Sequence, residues 1–161
     1  MPMLDLDLPD GVLGTEAERE LVANLTNLLL RWEGADPRNA RVRGLAWVFV
    51  NRIGAVYVAG EPVADPHYRV RVSVPQGQFD DERRAGMVLS VTEAVLDAEA
   101  GRFTRHTHRV WVFANEVPEG TWGAGGRVWR LADIAGFALG DDAAGRAYAE
   151  RTLANRAPAP V

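Results

Sequence analysis

The sequence is written twice, and this duplication limits the folds open to it more than any single residue does. Residues 8–11 read LPDG and residues 74–77 read VPQG, 66 positions apart. Residues 47–51 read WVFVN and residues 111–115 read WVFAN, 64 positions apart. A repeat of this length means two copies of one supersecondary unit, differing by a small indel. Each copy reads as a strand, a Pro-x-Gly turn, a long helix, a second strand and a Gly-containing hairpin region. In the first copy, MLDLDL sets Leu4, Leu6 and Leu8 on one face and Asp5 and Asp7 on the other. In the second, YRVRVSV sets Tyr68, Val70, Val72 and Val74 against Arg69, Arg71 and Ser73. A capping box of Thr15 and Glu18 is expected to start the first helix. Its apolar stripe is Leu21, Val22, Leu25, Leu28, Leu29 and Trp32. The second helix starts near Asp80 or Asp81, carries Met87, Val88, Val91, Val95 and Ala98, and ends at Gly101. The second strands are expected at about 42–51 and 108–115.

A strand, a long helix and another strand make a βαβ unit with parallel strands and a right-handed crossover. The expected fold class is α+β: two βαβ units, residues 2–64 and 67–135, related by pseudo-twofold symmetry. They share one four-stranded mixed sheet with both helices on the same face. The two first strands lie antiparallel at its centre, so that Asp5 and Asp7 meet Arg69 and Arg71 across strands. The opposite face mixes charge with apolar side chains and is expected to pack against other subunits. Residues 1–140 form a single domain, and 141–161 a short helix and a frayed tail, APAPV.

Composition narrows the chemistry. Every one of the 18 cationic side chains is arginine, so lysine Schiff-base chemistry is excluded and a reactive amine can only be the N-terminus. With no cysteine there is no disulfide, thiol nucleophile or cysteine metal site. Three histidines, His67, His106 and His108, are read as solvated or core residues, since no carboxylate motif completes a set of converging ligands. No metal or organic cofactor is expected. The net charge of −4 argues against a nucleic-acid partner. Acidic residues near the start and the lack of a long apolar run argue against a signal peptide, a membrane span or a membrane partner, so a cytoplasmic location is expected.

A starting Met-Pro, two βαβ halves and the stretch NEVPEGTWGAGGR at 115–127 together resemble the tautomerase superfamily. Glu116, Gly120, Trp122, Gly123, Gly125 and Gly126 follow the spacing of the glycine motif of 4-oxalocrotonate tautomerase. The two-unit length is similar to the malonate semialdehyde decarboxylase, cis-3-chloroacrylic acid dehalogenase and macrophage migration inhibitory factor branches. The resemblance, over roughly residues 2–135, implies removal of Met1, which frees the Pro2 nitrogen as general base or acid. An N-terminal amine in an apolar pocket titrates near neutral pH because desolvation disfavours its charged form. Pro2 maps onto Tyr68 in the second copy, which is internal, so each chain has at most one such amine. The implied activity is a cofactor-independent tautomerase (isomerase), moving a proton in a small 2-oxo or 2-hydroxy-diene acid, in a homotrimer.

The expected surroundings of Pro2 depart from the family. The positions of two substrate-binding arginines read Gln76 and Gln78, which offer hydrogen bonds without charge. A third, on the second strand, aligns with Trp111. Trp111, Phe113 and Trp122 are expected to form an aromatic wall, the strand coming from a neighbouring subunit. Arg43 and Arg127 are alternative carboxylate ligands or inter-subunit ion-pair partners. The histidine that assists water attack in the dehalogenases aligns near Leu29, so that role is absent, and the water-activating aspartate of the decarboxylases has no match, Asp36 lying nearby on a loop of different length; both departures argue against hydratase or decarboxylase chemistry. Two other functions stay open: a hydratase or dehalogenase lyase with Pro2 as acid, and a non-catalytic trimeric binding module.

Overall fold

The structure, a computed structural model, describes residues 2–154. The duplication appears as two βαβ units. The first is β1 (Met3–Pro9), α1 (Thr15–Trp32), a short α2 (Ala40–Gly44) and β2 (Trp47–Ile53). A two-stranded ribbon of β3 (Tyr57–Val58) and β4 (Glu61–Pro62) leads to the second. That unit is β5 (Tyr68–Pro75), α3 (Asp81–Ala98) and β6 (Val110–Val117), followed by the hairpin β7 (Trp122–Ala124) and β8 (Arg127–Trp129). Two further helices, α4 (Leu131–Leu139) and α5 (Asp142–Ala154), close the described chain. The expected APAPV tail lies outside the described residues.

The main sheet has the order β2-β1-β5-β6, with β1 and β5 antiparallel at the centre and each second strand parallel to its own first strand. The alternation in β1 and β5 decides which face is core. Leu4, Leu6, Leu8, Val70, Val72 and Val74 are fully buried under α1 and α3, beside Leu25, Leu29, Met87, Val91 and Val95. Each such side chain contributes about 1.5–3 kcal/mol by leaving water. The two helices pack closely enough that Gly86 lies against the Trp32 ring, and the Trp32 Nε1–H donates to Ser90 Oγ at 3.2 Å.

The outer face carries the charges. Asp7 accepts from Arg69 Nε at 2.6 Å and Asn51 Nδ2 at 3.0 Å, and Arg71 lies 3.4 Å away. Burial pushes the Asp7 carboxyl up, but the Asn51 and Arg69 hydrogen bonds and the two arginine charges outweigh it and hold the group below its usual range. Asp5 stands opposite Arg71 in the ladder, yet both arginines turn to Asp7. On the edge strands, Trp47 (62% exposed), Phe49, Trp111 (64%) and Phe113 project from this same face.

Three local expectations are corrected. Thr15 does not cap α1; the N-cap is Gly14, without a side-chain hydrogen bond, and Glu18 instead pairs with Arg52 of β2. The second strand begins at Trp47 and not near residue 42, because Asn39 accepts the Arg41 N–H and starts a helical turn over Ala40–Gly44. Finally, α4 precedes the expected C-terminal helix. It is started by the Asp133 and Glu119 carboxylates, which accept the Arg130 and Leu131 N–H groups.

The α4–α5 pair meets at glycines. A Cβ built on Gly145 would lie 2.3 Å from the Gly136 nitrogen and 2.7 Å from the Ala132 carbonyl oxygen, both backbone atoms. Gly145→Ala is expected to force the two helices apart at a cost of about 1–3 kcal/mol. Hydrogen exchange should show faster opening of α4 and α5, with β1 and β5 protected as before.

Candidate active site

Pro2 precedes β1 and is buried. Its carbonyl accepts the Trp47 N–H at 3.2 Å, which fixes the residue to the head of β2. Because β1 and β5 are antiparallel, Pro2 lies beside the far end of β5, and Pro75 and Gln78 share its surroundings. Together they line a cavity of about 280 Å³. The chain that leaves α1 supplies Glu33, Gly34, Ala35 and Asp36; α2 and the residue after it supply Val42 and Leu45. The roof is α4, through Leu131, Ile134, Ala135, Ala138 and Leu139, with Tyr148 from α5.

Gln78 is the polar centre of this wall. The side chain is 4% exposed; its Oε1 accepts from the Tyr148 hydroxyl at 2.9 Å, while its Nε2 has no hydrogen-bond partner among the described residues. An unsatisfied buried N–H costs roughly 1–3 kcal/mol, a deficit that a ligand oxygen would remove. The loop bearing Gln78 is fixed by Glu116, whose Oε1 accepts the Gly77 and Phe79 N–H groups at 3.0 and 2.9 Å. Arg83 donates to the Gln78 carbonyl oxygen, at 3.2 Å. No arginine lines the cavity among the described residues.

The two carboxyl groups of the wall differ. Burial pushes the Glu33 carboxyl up from its ordinary value. Hydrogen bonds from Arg38 hold the exposed Asp36 below its usual range, and it stays ionised.

Of the residues singled out by sequence, Pro2 and Gln78 come together. Gln76 is turned to the β6–β7 connection, where its Oε1 accepts the Glu119 N–H at 2.8 Å. Trp111 and Phe113 stand on the exposed outer face of β6, and Trp122 on the β7–β8 hairpin, away from the cavity of their own chain. Arg43 binds Asn27 Oδ1 and the Pro37 carbonyl, and Arg127 stacks on Trp129. Sequence reading missed Glu33, Tyr148 and the α4 roof. The roof had a signal, since Leu131, Ile134, Ala135 and Ala138 follow helical spacing. Among the described residues no group of three or more His, Asp or Glu side chains could hold a metal ion, and no helix is long and apolar enough to cross a membrane.

No protein-family model and no curated protein matches the sequence. Solved structures do match. A fused 4-OT described as a wild-type symmetric trimer aligns with a TM-score of 0.64 and 20% identity, over 86% of this chain and 98% of that one. N1, a member of the cis-3-chloroacrylic acid dehalogenase family, aligns at 0.64 and 20% identity, over 78% and 82%. Pt0534 inactivated by 2-oxo-3-pentynoate aligns at 0.64 and 16% identity, over 78% and 94%. The resemblance first carried by Pro2, the repeat and the glycine motif therefore holds at the level of architecture: this chain has the tautomerase-superfamily fold.

Proposed function

We propose that this chain is a tautomerase in which Pro2, made N-terminal by removal of Met1, moves a proton between carbon and oxygen of a small carbonyl compound. The observation that carries the proposal is the position of Pro2 on an apolar cavity beside Gln78, whose Nε2 has no hydrogen-bond partner among the described residues. The neutral Pro2 nitrogen takes the hydroxyl proton of an enol, and the resulting ammonium returns it to the adjacent carbon. Gln78 Nε2 donates to the carbonyl oxygen as it forms, in a site where water competes little. The resemblance makes the substrate a small 2-oxo or 2-hydroxy-diene acid. Gln78 is then the substrate-binding glutamine, with Gln76 ordering the adjacent loop.

The assembly belongs to the same proposal. The exposed aromatics of the outer face suit a homotrimer, as in the fused 4-OT neighbour, and would carry Trp111, Phe113 and Trp122 towards a neighbouring subunit's cavity. A cytoplasmic, cofactor-independent isomerase is the corresponding whole-protein reading.

A second reading has one observation in its favour. Asp36, kept ionised by Arg38, lines the same cavity and could activate water for a hydratase or dehalogenase, with protonated Pro2 as acid. Halide release from a chloroacrylate that is lost in Asp36→Asn, without ketonisation activity, would establish it.

The deciding experiment for the first reading is chemical. Intact mass should show Met1 absent. The alkynones 2-oxo-3-pentynoate and the uncharged 3-pentyn-2-one should then add to the Pro2 nitrogen, with the label found on the N-terminal peptide. Retained Met1 would leave Pro2 an amide and end the proposal, as would labelling elsewhere. A trimer that binds ligands but neither labels at Pro2 nor moves a proton would be a binding module.

A further inference from the structure

The Pro-x-Gly turn occurs after β1 and again after β5, and the residue that follows its glycine differs. It is Val12 in the first copy and Gln78 in the second. Both are buried, at 7% and 4% exposed. In both copies an arginine donates to that residue's carbonyl oxygen, Arg102 to Val12 and Arg83 to Gln78. An apolar side chain therefore serves this turn, and the fold has no need of a glutamine there. A buried amide costs free energy unless its hydrogen bonds are made. At Gln78 they are half made. Its Oε1 accepts from the Tyr148 hydroxyl at 2.9 Å, and its Nε2 has no partner among the described residues.

Tyr148 comes from outside the repeat. It stands on α5, and the first unit carries no counterpart of that helix, since the β3–β4 ribbon leads on to β5. Its hydroxyl takes up the amide oxygen, so what Gln78 has left to offer is a donor. Both residues line the cavity with Pro2. We propose that Tyr148 sets the Gln78 amide to donate to the carbonyl oxygen of an uncharged ketone, and that the site discriminates against carboxylates.

Charge supports the same ligand class. The wall is largely apolar, with Val42, Leu45, Ile134 and Leu139 facing the space. Among the described residues no arginine lines it, and Asp36 lines it ionised. The Pro2 nitrogen is neutral in the form that takes a proton, so it adds no cation. A carboxylate entering this space would exchange its water for one neutral donor and a like charge, and a buried charge without a counter-charge is costly. A ketone oxygen gives up far less hydration and makes the missing bond to Nε2–H. This deepens the proposed tautomerase, on whose site it rests, and replaces the acid of that reading with an uncharged compound.

The probes are acetophenone, α-methylstyrene and benzoate, which share one planar shape and carry a ketone, a methylene and a carboxylate on the same ring. Binding to the full chain is followed by the backbone amide signals of Gly34 and Leu131 and by the side-chain amide signal of Gln78. Acetophenone is expected to bind about ten-fold more tightly than α-methylstyrene, with benzoate weakest. It should also move the Gln78 side-chain signal, which α-methylstyrene leaves in place. Gln78→Met should remove the advantage of the ketone while keeping α-methylstyrene affinity. Tyr148→Phe frees the amide to turn over and should cut the advantage by about three-fold. A tyrosine with a merely structural role would weaken all the probes alike, and that result would overturn its part in the inference. Equal ketone preference in Gln78→Met and wild type would overturn the whole, as would tighter binding of benzoate than of acetophenone to the unaltered chain. Binding needs no turnover, so the two proposals fail separately. A chain that holds acetophenone on Gln78 but does not label at Pro2 loses the tautomerase and keeps this site. A chain that labels at Pro2 and prefers benzoate does the reverse.

Discussion

Pro2→Ala is expected to lower the rate of ketonisation of an enol such as that of phenylpyruvate by about 10²–10⁴-fold, the usual contribution of a positioned general base. The reason lies in geometry more than basicity. After Met1 removal alanine would still present an amine, but a primary one free to rotate. The proline ring holds its nitrogen at a fixed φ at the head of β1. Folding should be nearly unaffected, because the tie between residue 2 and β2 is a backbone bond from Trp47 N–H to the residue 2 carbonyl. Stopped-flow absorbance of the enol gives the rate, and equal rates for the two proteins would remove Pro2 from the mechanism.

The largest effect on stability is expected from Arg109→Met. Arg109 and Glu99 are 4% and 1% exposed, and they meet through two bonds of 2.7 and 2.6 Å. Arg109 also donates to the Pro66 and Thr104 carbonyl oxygens, so it ties the entry of β5 to the loop before β6. Removing the arginine leaves a buried carboxylate without its counter-charge, which costs about 3–5 kcal/mol. The urea midpoint should fall accordingly, with an unchanged slope. The double variant Glu99→Leu with Arg109→Met removes both charges and should recover most of the loss. If it is as unstable as Arg109→Met alone, the hydrogen bonds to the two carbonyls, and not the ion pair, hold this corner. Tyr68→Phe loses one bond to a charged group and should cost about 1.5–3 kcal/mol.

The sheet was legible because its determinants are local and repeated. Alternation in residues 3–8 and 68–74 sets the core face, and the matching halves force the order of strands. Residues 42–46 were misread because Val42 alternates with Arg41 and Arg43, a strand pattern that the Asn39 cap overrides. The roof over the cavity was hidden by glycines. Gly136, Gly140 and Gly145 read as breakers in sequence, yet two of them allow α4 and α5 to touch and the third ends α4 in a left-handed turn. Pro2 and Gln78 could be paired in advance because an antiparallel centre brings strand start to strand end. Glu33 could not be read that way. At the end of a helix a glutamate normally faces water, and only α4 and α5, packed from the far end of the chain, make it a wall residue.

The outer sheet face has a consequence for how copies of the chain meet. Its two edges carry near-identical rows, Trp47, Phe49 and Asn51 on one side and Trp111, Phe113 and Asn115 on the other, related by a half-turn about the Asp5–Arg71 pair. A neighbour turned upside down finds almost the same surface as one set upright. Head-to-head and head-to-tail arrangements are thus close to degenerate in everything the two rows share. The choice between them falls to the central positions of the same face where the copies have drifted apart, Met3 against Arg69, Asp5 against Arg71 and Asp7 against Ser73. The residues that best reveal the duplication are those with the least say in the symmetry of whatever the chain builds.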